Sequence, residues 1–389
     1  MKTTRKEFLK NGSIFCLATM LGCAKDAKVP WNINEKNFEH VPALYTRNPL
    51  YFSNQKTTVS IVKVNGKGSE AKAVEYAVAK ALDLIGGVNQ VTKGKERILL
   101  KPNLVSPNES DTTKPAVIDA LAGLMKKAGK DVCIGEASAA SWHTIRLTMK
   151  GFVCAVKDPG DLAIIQNENF DKLGYRDVAK KYAIPLVNLH LGRMAKMTIP
   201  DNYVLKEIFL NEALINTDMV CSVPMMKTHT LAGVTLALKN VGIGAYPGLV
   251  YGSVRSMLHR KAMEVEPSGT ATAIVDMVKA NKIGLCVIDA TTAMEGNGPA
   301  KMQGGKLLKM NLIIAGTNPL ATDMVAADLM GFRPGEIDTF TWAHKAGMTP
   351  NDISDIRIVG ENPADVRRKF IKPAIVPYAL ISGWYAPPC

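Results

Sequence analysis

Between Pro224 and Asn240 the chain reads Pro-Met-Met-Lys-Thr-His-Thr-Leu-Ala-Gly-Val-Thr-Leu-Ala-Leu-Lys-Asn, just beyond an apolar run at Asp218–Val223. Lys227 and Lys239 offer cationic donors, His229 offers a group that exchanges a proton near neutral pH, and Asn240 offers an amide. The glycines that follow, Gly242 and Gly244, let backbone amides approach a ligand closely. Parallel sheets place ligands at strand exits, so the pattern fits a site for a small anion. Its plainer reading is a solvated loop carrying two surface lysines.

Other strand-like runs end in polar residues too. Arg97-Ile-Leu-Leu100 leads into Lys101-Pro-Asn103, and Asp131-Val-Cys-Ile-Gly-Glu136 delivers Glu136 at its end. Ile283-Gly-Leu-Cys-Val-Ile288 exits into Asp289 and then Met294-Glu-Gly-Asn-Gly-Pro299, a compact turn containing Glu295 and Asn297. Asn318-Pro319 starts a helix that carries Asp323. Recurrence at one rim is the best physical sign of a site. In the resulting scheme His229, Lys227 and Asp289 do acid–base chemistry, and Lys101, Asn103, Lys239, Asn240 and Asn297 bind the substrate. Glu295, Asp323 and Glu136 are candidate ligands for a divalent metal, of an oxygen-preferring kind. Asp289 as a local cap, and Asp323 as complement to its helix dipole, are the structural alternatives.

The elements that must position these residues alternate strand and helix. A strand at Thr58–Val64, a helix from Ser69 to the Gly86-Gly87 stop, and the Thr113-Lys-Pro115 helix start predict an α/β fold with a mostly parallel, helix-covered sheet. Between Ser141 and Asn211 the pattern loosens, which predicts an inserted α+β cap at 140–211. Residues 23–57 read as a tether or wrapping segment, 58–360 as the α/β domain, and 361–389 as a C-terminal tail.

The first 22 residues read as an address. Thr4-Arg-Lys-Glu-Phe-Leu-Lys10 resembles the twin-arginine export motif, and Met20-Leu-Gly-Cys23 resembles a lipoprotein box. The expectation is an exported periplasmic or cell-surface protein held to a membrane through lipidated Cys23, or a secreted one cleaved nearby. With Cys16 in the leader and Cys23 assigned to lipid, five cysteines remain, Cys133, Cys154, Cys221, Cys286 and Cys389, with no C-x-x-C spacing, so no iron–sulfur cluster or structural zinc is signalled. A net charge of +13, of which the first 22 residues carry +3, suits anionic partners. The lysines are scattered and only 6% of the chain is aromatic, which argues against nucleic-acid binding. Neither G-x-x-x-x-G-K-[ST] nor G-x-S-x-G occurs, and Gly242-Ile-Gly244 lacks the third glycine of a dinucleotide fingerprint.

Taken together, Lys101-Pro-Asn103, Lys227-Thr-His229 with Lys239-Asn240, Asp289 with Met294-Glu-Gly-Asn-Gly-Pro299, and Asn318-Pro-Leu-Ala-Thr-Asp323 resemble the family catalogued as domain of unknown function 362. The resemblance runs from about Thr58 to about Ile358. It implies exported single-domain relatives and others fused to ferredoxin-like modules, hence a redox partner for some members. This chain lacks the cysteine spacing of the latter. A more distant similarity to nickel-pincer lactate racemases serves as analogy only. Three functions follow: an enzyme acting on a small anionic substrate, a metal or cofactor carrier, or a surface lipoprotein that binds a partner without chemistry.

Overall fold

The computed structural model describes residues 40–53, 56–65, 70–144, 156–253 and 269–374. The leader, Cys23, Cys154 and Cys389 lie outside them.

The strands in chain order are β1 (His40–Ala43), β2 (Thr57–Lys63), β3 (Arg97–Pro102), β4 (Asp131–Glu136), β5 (Leu186–Asn188), β6 (Met194–Thr198), β7 (Glu207–Asn211), β8 (Met219–Val223), β9 (Met225–His229), β10 (Gly233–Thr235), β11 (Ile283–Gly296), β12 (Gly305–Gly316) and β13 (Ile356–Gly360). The helices used below are α1 (Glu70–Leu84), α2 (Pro115–Lys127), α3 (Pro159–Lys172), α4 (Tyr175–Tyr182), α5 (Ala237–Gly242), α6 (Gly269–Lys279) and α7 (Pro319–Leu329). The main sheet runs β13-β2-β12-β11-β8-β3-β4-β5, with β9 alongside β11 and β10 paired to β9. Along that path β12 is the antiparallel strand, and the other neighbours pair in parallel. The α/β class with a mostly parallel sheet is therefore what the chain adopts.

Continuous apolar strands require cover on both faces. On one face Val74, Val78 and Leu82 of α1 and Val117, Leu121 and Met125 of α2 pack on Ile98, Leu100, Val132 and Ile134. On the other, α7 lies over β11 and β12, α5 over β8, and α6 over α5. Asn318 caps α7 by accepting from Ala321 N at 3.0 Å, with Pro319 in the first turn where its missing N–H is harmless. Gly331, at φ 80°, ends it.

Two expectations change. Leu186–Asn188 in the supposed cap joins the edge of the main sheet, while β6 and β7 form a separate three-stranded sheet with β1. Residues 40–53 accordingly pack as part of the fold, with Tyr51 buried and its hydroxyl donating to Asn281 O at 2.7 Å. The strand that starts at Ile283 does not stop at Asp289. It continues to Gly296 as one arm of a long hairpin, because the Ala-Thr-Thr-Ala-Met run sustains pairing with β12 across a bulge at Ala290/Thr292.

Candidate functional site

Strand β3 is followed by β4 and β5 towards one edge of the sheet, whereas β8, its neighbour on the other side, is followed by β11 towards the opposite edge. Connections that leave adjacent parallel strands in opposite directions open a crevice at the carboxyl ends, where α/β proteins bind ligands. A cleft of about 120 Å³ lies there, walled by Asn103 and Val105 after β3, Glu136 at the end of β4, His229 at the end of β9, and Lys239 and Gly244 on and after α5. Pro299 and Gln303, from the β11–β12 turn, close it on the remaining side. That volume holds several waters or one small molecule.

His229 is the last residue of β9. The chain turns back through Thr230–Ala232 to β10, using Gly233 at φ 72°. Inside this turn Leu231 N donates to His229 Nδ1 at 3.0 Å, so the neutral ring carries its proton on Nε2. His229 is thereby set up as a donor through Nε2–H.

Lys239 and Asn240 are placed by α5. The carboxylate of Asp323, on α7, accepts from Ala237 N at 2.7 Å and Leu238 N at 2.8 Å, satisfying the orphan donors of that helix start. Burial pushes the Asp323 carboxyl up to about 8 against the pull of those two N–H groups. Asp323 thus shapes the site through α5 and does not line the cleft.

Beneath the cleft floor, Lys101 Nζ donates to Glu136 Oε1 at 2.6 Å and to Pro102 O at 2.7 Å, with Asn240 Oδ1 at 3.4 Å. Glu136 also accepts from Ala137 N and Leu104 N. Asn240 Nδ2 returns to Lys101 O at 3.0 Å and Ser222 Oγ at 3.2 Å. One buried polar network therefore ties β3, β4, β8 and α5 together. Lys101, expected to hold the anion, instead neutralises Glu136. Asn103 lines the cleft while almost fully buried, and its Oδ1 has no partner among the described residues.

Lys227 is fully buried behind the cleft wall, where Nζ donates to Asp111 O at 2.8 Å and Pro299 O at 3.2 Å. Burial pulls its pKa down to about 7, while Asp111 and Glu136 oppose the shift. A folded pKa below the unfolded one means that the unfolded chain binds more protons, so this lysine's contribution to stability rises with pH through that window and is flat below it. Urea unfolding should show Lys227→Met gaining about 3 kcal/mol relative to the parent as pH falls from roughly 10 to 7. A gap that does not move with pH would show that this amine keeps its ordinary pKa.

The remaining candidates are used elsewhere. Asp289 accepts from Lys114 N at 2.8 Å, ahead of α2, and from Thr291 N and Oγ1, which corrects its assignment to the catalytic group. Glu295 accepts from Ile371 N and Asn297 from Ala374 N, both at 2.9 Å, so both hold the C-terminal segment. Glu136, Asp323 and Glu295 are consequently separated, each with backbone donors of its own. Among the described residues no group of three His, Cys, Asp or Glu is arranged to hold a metal ion. Cys133, Cys221 and Cys286 are buried, and burial pushes each thiol up, away from the reactive thiolate.

Sequence reasoning missed the Ser106–Thr113 loop. Asp111 accepts from Ser106 Oγ and Lys301 N, and Thr113 Oγ1 accepts from Asn103 N at 2.9 Å while donating to Val223 O at 2.6 Å. Thr113 thereby clasps the exits of β3 and β8. The Thr113-Lys-Pro115 start was the available signal, but it was read only as the opening of a helix.

These features define an α/β protein with a polar cleft at the sheet's switch point. The chain belongs to the family described as Domain of unknown function (DUF362), whose profile matches residues 98–328 and so spans every residue that lines the cleft. It is 25% identical over 294 residues to the Thylakoid-associated protein sll1697 of Synechocystis sp., covering 75% of this chain and 80% of that one. Among solved structures it is similar to the lactate racemase apoprotein from Thermoanaerobacterium thermosaccharolyticum, with 15% identity, a TM-score of 0.39 and coverage of 71% of this chain. The chain spans 57% of that structure.

Proposed function

We propose that the protein is an enzyme acting on a small anionic substrate held in this cleft. Lys239 supplies the positive charge, the Asn103 amide supplies a hydrogen bond, and His229 Nε2–H donates to the substrate oxygen on which charge develops. The observation that carries the reading is the convergence of Asn103, His229 and Lys239 at the carboxyl ends of β3 and β8, where the sheet's connections diverge.

Titration calorimetry with a panel of small carboxylates and phosphates tests it. Lys239→Ala should weaken binding about tenfold or more, the value of a hydrogen bond to a charged group, with little change in melting temperature. His229→Gln, which keeps an N–H donor but no exchangeable ring proton, should retain binding and lose turnover. Equal affinity in the parent and Lys239→Ala would remove the basis for an anion site.

The start of the chain supports a second part of the reading: an exported protein attached to a membrane through acylated Cys23. Fatty-acid labelling should mark the parent and be absent from Cys23→Ser; labelling of both would place any acyl group elsewhere.

A further inference from the structure

The far end of the β11–β12 hairpin is unlike the rest of the surface. Met302 is 75% exposed, Leu307 45% and Ile371 52%, three of the eight large apolar side chains most open to solvent among the described residues. They share one end of the hairpin: Gly296 pairs with Gly305, Gly296 N donates to Ile371 O at 2.8 Å, and Met302 lies in the turn between the two strands. Exposed Lys301 and Lys306 lie at the same end, and exposed Lys369 is two residues from Ile371. The acids beside this end are each engaged: Glu295, opposite Lys306, by Ile371 N, Asp111 by Lys301 N and Glu336 by Lys372 Nζ. Apolar side chains interspersed with lysines at one end of a hairpin complement an anionic lipid surface, where side chains enter the headgroup boundary and each lysine adds attraction. The sequence that follows Ala374 continues the theme: 375–389 carries no charged residue and includes Tyr378, Trp384 and Tyr385, the residue types that favour membrane interfaces.

The geometry points to this hairpin end as a docking surface for an anionic bilayer. Sedimentation with vesicles of phosphatidylcholine alone, or of phosphatidylcholine mixed with phosphatidylglycerol, tests it on the full chain carrying Cys23→Ser, so that no acyl anchor contributes. The leader is common to all variants, so the comparison between parent and variants decides. Met302→Asp with Leu307→Asp, and separately Lys301→Glu with Lys306→Glu, should each lower the bound fraction on the mixed vesicles about tenfold or more, with unchanged melting temperatures. Unaltered binding in either variant overturns the proposal. So does a lower melting temperature of the aspartate variant without vesicle binding, because the patch would then be covered by the chain's own 375–389 segment.

Discussion

Lys101→Met should destabilise the protein by about 3–5 kcal/mol in urea unfolding, the usual effect of breaking a buried ion pair from one side. The reason lies in what is left behind. Lys101 and Glu136 are both sequestered from solvent and 2.6 Å apart, so removing the ammonium strands a carboxylate whose remaining partners are two backbone N–H groups. Adding Glu136→Gln to Lys101→Met removes the stranded charge and should recover a large part of the loss. If the double variant is as unstable as the sum of the two singles, the pair is not coupled and the network described here does not hold the strand ends together.

Gly244→Ala should cost about 3 kcal/mol, the upper end for a methyl forced into packed surroundings, and should abolish binding in the cleft. A Cβ at this position would collide with the carbonyl oxygen of Asn240 and come within 3.2 Å of Lys101 Nζ. Neither neighbour can withdraw: the carbonyl belongs to α5 and the ammonium is held by the Glu136 pair. Gly335→Ala is the control, since nothing lies within 4 Å of its added Cβ; it should shift stability by less than about 0.5 kcal/mol. Similar losses in both variants would mean that the contact around Gly244 does not limit the site.

Much of the fold was legible because its strongest signals are local. Asn318-Pro319 can do little else than start a helix, and apolar runs such as Arg97–Leu100 read directly as strands buried on both faces. The rim itself was legible too, in that Asn103, Glu136, His229, Lys239 and Asn240 all reach one cleft. What could not be read is how each polar group is consumed. Asp289 and Asp323 look alike in sequence to a catalytic carboxylate, yet both are saturated by backbone donors that only the packing of α2 and α5 brings near. Lys101 and Glu136 stand 35 positions apart, and nothing local indicates that they neutralise each other. Periodicity reports faces and ends of elements, whereas partners across a sheet depend on strand order. That order is set by long-range closure.

The position of β2 bears on how the molecule is made. This early strand sits between β12 and β13, which arrive roughly 250 and 300 residues later along the chain, so no neighbour for it exists while the ribosome is still producing the middle. Val59, Ile61 and Val62, all buried in the finished sheet, must wait in a nascent polypeptide that offers α1 for one face but no strand on either side. Closure of this edge therefore waits for β13, and a chain stalled before Ile356 would leave the aliphatic edge of β2 open to chaperones and to other copies of itself.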